Sequence, residues 1–552
     1  ATCTRRSRRW LRLAVSSAAA SVKAYRDARN YLRFLAGLPD FLRRRLSYEQ
    51  ASAILHERMN TREQRFLESL DCGALGQAHT PYPALLKHAR CTPEDVRSSV
   101  RDHGVEHTLA ALRDAGVYVT FEEFKGRAPI IRDGHEIPTT LNSFDNRMLT
   151  RSYRISTGGS TGRGRSVPID LEHMWARVPD QLVSDTIQGF QGAPQALWFD
   201  GLPGNGLNSL LLRVPSGTVA VRWFSPTLDA GSRPAAKFRL AQAGILATAR
   251  RVVQDLPSIE PVALDDAAVV AQWAAEAASR AGASGVRTLM SRALRVCLAA
   301  EELGIDLTGV TFSGGGEPPT PAKAAAVRRS GARLMSNYTF QEAGPIGHMC
   351  MNAKDPNDQH LMMHHLAAIT REREVPGASG VVHAFCYTTL LPSARKLMLN
   401  VESDDCGTLE SRPCGCPWEA FGFTTHLAGI YSFQKLTGEG VSLLGTDVLH
   451  VLESVLPERF GGSPLDYQLH EEEDSQGFTR LILVVSPRIG EVDEPDVVEA
   501  VLAGLAGTGH SGAITGAIWR QAQSLRLRRI EPTWTGRGKF MPLHVRRTEG
   551  LN

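Results

Sequence analysis

Ser156-Thr157-Gly158-Gly159-Ser160-Thr161-Gly162-Arg163-Gly164-Arg165 is the stretch on which the fold of this chain turns. Its glycines free the backbone to turn several N–H groups toward one point. The hydroxyls of Thr157, Ser160 and Thr161 add donors, and the arginines add positive charge, so a phosphate is the natural guest. A flexible Gly/Ser turn is the plainer alternative. Gly159–Ser166 also fits the phosphate-loop pattern G-x-x-x-x-G-K-[ST], except that Arg165 stands where the lysine belongs. Such a loop must run straight into a helix. Here Val167-Pro168-Ile169 follows at once, and proline biases the residue before it away from helix. Context and the missing lysine both argue against that pattern.

The chain around this loop has the composition of a soluble globular protein. It has 552 residues, 42% hydrophobic and 22% charged, with 50 Gly and 30 Pro, which excludes collagen-like, disordered and coiled-coil classes. No apolar run approaches the roughly 18 residues needed to cross a bilayer. The net charge of +4 is small for this length, but residues 1–50 alone carry twelve Lys/Arg against three Asp/Glu. No basic stripe interleaved with aromatics lies in the body of the chain, so nucleic acid is a poor partner. Nine cysteines, an odd and sparse set, point to a reducing compartment, and the expectation is cytoplasmic. Arg5-Arg6-Ser7-Arg8-Arg9-Trp10-Leu11-Arg12 followed by Leu13–Val22 superficially resembles a twin-arginine export signal. Helical patterning continues through Tyr25, Tyr31, Leu32, Leu35 and Leu38, however, which favours a basic amphipathic helix.

Periodicity predicts helices over much of residues 1–70. From about Leu149 to Gly380 strand-like runs (Val219–Phe224, Val310–Phe312) alternate with helical ones (Ala263–Ala281, Val286–Leu303), the pattern of α/β layers. Asp404–Gly422, rich in Cys, Gly, Pro and acids, reads as a loop. A second unit follows: Val441–Leu456, a strand at Leu481–Val485, a helix at Pro495–Ala506 and a basic strand near Leu525–Ile530. Two glycines in Gly438-Glu439-Gly440 place the boundary there.

Three further stretches complete the reading. Ser313-Gly314-Gly315-Gly316-Glu317-Pro318 follows a strand and precedes a helix; Ser336-Asn337-Tyr338-Thr339-Phe340-Gln341-Glu342 comes next; Thr535-Gly536-Arg537-Gly538-Lys539 sits near the end. With these in order and at fitting spacing, the chain resembles the adenylate-forming superfamily of acyl-CoA synthetases and peptide-synthetase adenylation domains. Within it the likeness is to phenylacetate–CoA ligase-like enzymes, and it covers roughly residues 80–545. The resemblance implies a large multi-subdomain α/β N-terminal domain and a smaller, mobile α+β C-terminal domain. The division is 1–79 as a basic helical extension, 80–438 as the adenylation domain and 439–552 carrying the catalytic lysine.

The resemblance also implies roles. Thr157, Gly159, Ser160, Thr161, Gly162 and Arg165 hold phosphates. Gly315, Gly316, Glu317 and Pro318 form the adenine-side turn, with Asn337 reading the adenine edge and Tyr338 stacking on its ring. Glu342, next to Gln341, holds Mg²⁺, with Thr161 as a further ligand. Asp405 accepts from the ribose hydroxyls, with Asp404 as the alternative one residue away. Lys539 places an ammonium between the attacking carboxylate and the α-phosphate. The activity so implied converts an aromatic or fatty acid and ATP into an acyl-adenylate and pyrophosphate. Transfer to a thiol follows, CoA first, with an acyl carrier protein or an amine as alternatives and a nonenzymatic nucleotide-binding relative as another class. Gln341 stands where the family has Ser/Thr, Thr339 where it has Gly, and Glu439 where its hinge has Arg. Trp198–Leu202 and Leu210–Leu212 are candidate walls of the acid pocket.

Cys350, His360, Cys414 and Cys416 form a second constellation. Three thiolates and an imidazole make a complete tetrahedral zinc set, structural in kind. Buried small cysteines are the alternative, and His364 and His365 compete with His360.

Overall fold

The computed structural model describes residues 24–140, 142–156, 166–226, 236–317, 319–374, 381–432, 435–438, 441–444, 448, 451–474, 478–507, 519–520, 523–533 and 543–545. The expected phosphate-loop residues Thr157, Gly159, Ser160, Thr161, Gly162 and Arg165 lie outside them, as do Pro318, Glu439, Gly440 and Lys539. No helix among the described residues is long and apolar enough to cross a membrane.

A twelve-stranded sheet organises the chain. Its strands, in chain order, are β1 (Gln195–Trp198), β2 (Arg222–Ser225), β3 (Ile259–Pro261), β4 (Ser284–Leu289), β5 (Val310–Gly315), β6 (Arg333–Phe340), β7 (Gly344–Met349), β8 (Gln359–Leu361), β9 (Leu366–Glu374), β10 (Val381–Thr389), β11 (Val401–Ser411) and β12 (Thr425–Ser432). In space they run β9-β10-β11-β12-β8-β7-β6-β5-β4-β1-β2-β3. The six strands β1–β6 pair in parallel, joined by crossovers, and the remainder pair antiparallel. Parallel pairing requires a return path across the sheet face, and helices supply it. Four helices matter below: α1 (Leu171–Ile187), α2 (Ala267–Ala281), α3 (Met290–Leu303) and α4 (Pro321–Arg329). α2 buries Ala267, Val270, Ala271, Ala274, Ala277 and Ala278, one face at helical spacing, and stops at Gly282, whose φ of 80° favours glycine.

Three expectations differ from the structure. Val286–Leu303 is not helical throughout: Ser284–Leu289 is β4, inserted between β1 and β5, and only Met290–Leu303 is helix. The residues of β4 are buried on both faces, Arg287 included through its pairing with Asp185 at 2.5 Å, so the run has no alternation that separates strand from helix. Asp404–Gly422 is not all loop, because β11 extends to Ser411. Its acidic composition hides the strand. Glu402 is fully buried yet neutralised by Arg371 at 2.6 Å and by Arg373, so the charge does not oppose burial. The strand expected over Val219–Phe224 is Arg222–Ser225.

The N-terminal helix over 24–43 buries Phe34, Leu38, Phe41 and Leu42 in one cluster with Tyr153, Ile155, Val167 and Ile169. Those four belong to the antiparallel pair Ser152–Ser156 and Ser166–Asp170, which brackets the glycine-rich stretch. At the other end, a four-stranded sheet of β13 (Tyr467–Glu473), β14 (Thr479–Val485), β15 (Leu525–Arg529) and β16 (Leu543–Val545) is ordered β15-β14-β13-β16, with helix α5 (Glu494–Gly507) against β15. The expected boundary at Gly438–Gly440 lies in sequence between the antiparallel partners Lys435–Gly438 and Val441–Leu444. This C-terminal unit meets α3 and α4. Phe478 packs with Leu294 and Ala326, and Lys323 Nζ donates to Thr479 Oγ1 at 3.3 Å.

Candidate active site

Three of the stretches singled out from sequence meet where β5 and β6 end. Gly315 pairs with Asn337 in parallel register, so the turn Gly315-Gly316-Glu317 lies beside Asn337-Tyr338. Gly316 has φ 81°, a conformation glycine adopts without strain. Glu317 is buried and tied inward: Oε1 accepts from Ser291 at 2.7 Å, and Oε2 from Lys323 at 3.3 Å. Asn337 is also engaged internally. Its Nδ2 donates to Ser313 Oγ at 2.7 Å, while its Oδ1 lies 3.2 Å from Gln188 Nε2 and 2.6 Å from His348 Nδ1. The Tyr338 hydroxyl donates to Asp405 Oδ2 at 2.7 Å and receives the Tyr387 hydroxyl at 3.2 Å. Burial and the Asp405 charge push the Tyr338 phenol up, so it stays a donor. Asp404 points its carbonyl at Ser432.

Glu342 follows β6 in a turn and is buried. Its Oε1 pairs with Lys125, whose ammonium also lies 5.1 to 5.6 Å from the ring centres of Phe340, Phe121 and Phe124. Burial alone would raise the Glu342 carboxyl; Lys125 and, further off, Lys396 overcome it and hold it below the ordinary value. Lys396 itself pairs with Asp145. Arg395 donates to the Gln341 carbonyl at 3.0 Å. Lys125, Lys396 and Arg395 were not singled out from sequence, and they make the surroundings of Glu342 cationic.

Helix α1 faces this centre. It starts at Asp170, whose carboxylate caps it by accepting from Glu172 N at 2.8 Å and also from Arg151 N at 2.7 Å. Leu171, Met174 and Val178 pack into an apolar cluster. His173, Arg177, Asp180, Ser184 and Gln188 recur at steps of three and four, a polar stripe on a helix that is otherwise buried. His173 Nδ1 donates to Ser393 O at 3.0 Å, Arg177 comes up against Gly344, and Ser184 Oγ lies 3.4 Å from His348 Nδ1. Asp180 Oδ1 lies 3.7 Å from His348 Nε2 and 3.9 Å from His364 Nε2. Burial would raise the Asp180 carboxyl, yet His348, His364 and Arg177 hold it well below the carboxylate range. That stripe was the available signal for these residues.

No protein-family model matches the chain, and no curated protein sequence matches it. Solved structures do match. The chain is similar to 2-hydroxyisobutyryl-CoA ligase in complex with 2-HIB-AMP and CoA, at 14% identity over 92% of each chain, with a TM-score of 0.51. The chain has the adenylate-forming enzyme fold. An anthranilate CoA ligase with anthranoyl-AMP (10% identity, 79% of this chain and 74% of that one, TM-score 0.33) is also matched. So is the McyG A-PCP protein with phenylalanyl-adenylate (11%, 74% and 67%, TM-score 0.33).

On this adenylate-forming fold the cysteine constellation closes up. Cys350 Sγ, a nitrogen of His360, Cys414 Sγ and Cys416 Sγ lie within 4.8 Å of one another. His360 Nε2 is 3.0 Å from Cys416 Sγ and 3.5 Å from Cys414 Sγ, while its Nδ1 donates to Phe423 O at 2.6 Å. That second bond leaves Nε2 as the ligating atom. Three sulfurs and one imidazole nitrogen suit tetrahedral zinc. Glu419 orders the loop by accepting from Cys414 N at 2.9 Å and Gly415 N at 2.6 Å. His364 and His365 turn elsewhere, His365 Nε2 to Pro345 O at 2.8 Å and His364 toward Asp180. Cys350 also belongs to a second group with Asp358 and His426. Trp198 and Leu210–Leu212 lie in apolar clusters, and Asp200 pairs with Arg292 at 3.0 Å.

Proposed function

We propose that this chain activates a carboxylic acid with ATP. A carboxylate oxygen attacks the α-phosphorus, the bond to the bridging β-phosphate oxygen breaks, and pyrophosphate leaves. A thiolate, CoA first, then attacks the acyl carbon and AMP departs. One observation carries the reading: the Tyr338–Asp405 hydrogen bond joins side chains 67 residues apart beside the Gly315–Gly316 turn. In this proposal adenine lies along the Gly315–Glu317 backbone against Tyr338, and Asp405 takes the ribose hydroxyls. Asn337, whose amide is held by Ser313, fixes the strand rather than the base. The loop residues Thr157, Gly159, Ser160, Thr161, Gly162 and Arg165 take the phosphates, and Lys539 neutralises the charge that develops as the acyl-adenylate forms. The acid is aromatic or fatty in this reading.

The cationic surroundings of Glu342 do not fit a resident divalent cation. Its carboxylate serves to hold Lys125 in place, and Mg²⁺ belongs to the incoming nucleotide. The Cys350–His360–Cys414–Cys416 set fits zinc, which would pin the 412–418 loop to the sheet and take no part in the chemistry.

Pyrophosphate release with ATP, Mg²⁺, hydroxylamine and a panel of aryl and fatty acids tests the proposal. Acid-dependent release with hydroxamate formation is expected, and Lys539→Ala should slow it by roughly 100-fold or more. Absence of acid-dependent release across the panel, with ATP still bound, would overturn it in favour of a nucleotide-binding relative. CoA, a carrier-protein thiol and amines are then compared as acceptors.

A further inference from the structure

Arg395 is 5% exposed and, among the described residues, has no carboxylate of its own: Nη1 donates to the Gln341 carbonyl, and Nε has no partner there. The neighbouring acids are already engaged. Glu342 pairs with Lys125, Asp145 with Lys396, and Asp180 lies 3.7 Å from Arg177 Nη2. Among the described residues Arg177 Nε is likewise buried without a partner, and so is the Tyr153 hydroxyl, itself 3% exposed. His173 donates Nδ1 to Ser393, so its neutral ring brings an acceptor and no charge.

These donors come from three connected segments: Ser152 pairs with Asp170, which caps α1, and His173 on α1 bonds Ser393. Tyr153 is on the strand Ser152–Ser156, Arg177 on α1, and Arg395 in the stretch between β10 and β11. Besides the His173–Ser393 bond, Asn146 Nδ2 donates to Pro392 O at 2.7 Å and Ala394 O at 2.8 Å. Gly344, with φ 99°, lets Arg177 come close: a Cβ there would lie 3.1 Å from Nη1. Burial and the Arg177 charge lower the Arg395 guanidinium to about 9, which leaves it protonated at neutral pH. A charged, incompletely bonded guanidinium held out of water is costly, and a fold retains it where a ligand completes its bonding.

We propose that Arg395, with Arg177 and Tyr153, receives the carboxylate of the acid to be activated. The site adjoins the Gln341–Gly344 turn, beside the adenylation centre assigned above, and the inference rests on that assignment. One unbalanced cation matches one negative charge, which favours a carboxylate over a phosphate dianion.

The test is the thermal shift of the full chain without ATP, in sodium benzoate, benzamide or sodium phosphate, each matched for ionic strength with chloride. Benzoate should raise Tm and uncharged benzamide should not. Arg395→Met should abolish the benzoate shift, and Tyr153→Phe, which keeps the packed ring, should weaken benzoate binding about tenfold. A benzoate shift retained in Arg395→Met overturns the proposal, as does an unchanged affinity in Tyr153→Phe should the methionine variant not fold. No benzoate shift in wild type, or an equal one with benzamide, does the same. A phosphate shift as large as that of benzoate reassigns the site to a phosphoryl group. Absence of acid-dependent pyrophosphate release beside a benzoate shift that Arg395→Met abolishes is failure of adenylation alone, so it reads differently from failure of this site.

Discussion

The cluster at Cys350–Cys416 and the cluster at Glu342 are both built from ionisable side chains drawn from distant segments, yet they are balanced in opposite ways. Around Glu342 the protein supplies its own counter-charges, Lys125 for the carboxylate and Asp145 for Lys396, and ends with one guanidinium to spare. Around Cys416 it supplies three sulfurs and a neutral-capable imidazole, and no lysine or arginine is paired to them among the described residues. Thiolates gathered without cations call for a metal; a carboxylate ringed by cations calls for none. One centre therefore suits a cation and, on the proposal above, the other an anion.

Breaking either balance should show in stability, and the metal side should show most. The purified chain should carry about one zinc, and Cys416→Ser should lose it together with about 3–5 kcal/mol of stability, read by metal analysis and denaturant unfolding. Equal stability with and without the metal would remove zinc from the comparison. Lys125→Met should come next, at about 3 kcal/mol, because it leaves the Glu342 carboxylate buried without its partner; a loss below 1 kcal/mol would mean that Lys396 alone suffices.

Glu342→Gln sharpens the comparison through pH. Since the folded value of Glu342 is depressed, its contribution to stability is fully present above the ordinary 4.5 and is lost as pH falls through the folded value. The stability gap between wild type and Glu342→Gln should therefore close on acidification below 4.5 in urea titrations, and a constant gap would contradict the ion pair. Smallest is Tyr387→Phe, which removes one neutral hydrogen bond to Tyr338 and should cost about 1 kcal/mol.

The glycine turn at Gly315-Gly316 and the grouping of Cys350, His360, Cys414 and Cys416 were legible in the sequence, the first from local spacing and the second from residue types that share one chemistry. The strand Ser284–Leu289 was not, since a run buried on both faces has no alternation to detect. Nor was β11, whose buried Glu402 looks like a loop acid until Arg371 and Arg373 stand opposite it. The stripe His173-Arg177-Asp180-Ser184 was present in the sequence as a period, but a polar period on a helix ordinarily means water, and here it means β7 and the stretch before β11.

By itself, then, the amino-acid order determined the alternation of strands and helices, the glycine turns and the residue types available for chemistry, all of which act through neighbours a few positions away. Tertiary structure alone decided which charges meet. Lys125 reaches Glu342 across 217 residues and Lys396 reaches Asp145 across 251, and neither pairing leaves a trace in local spacing. Charge neutralisation inside a protein depends on distance through space in a medium poor in water, a quantity that exists only once the chain has folded.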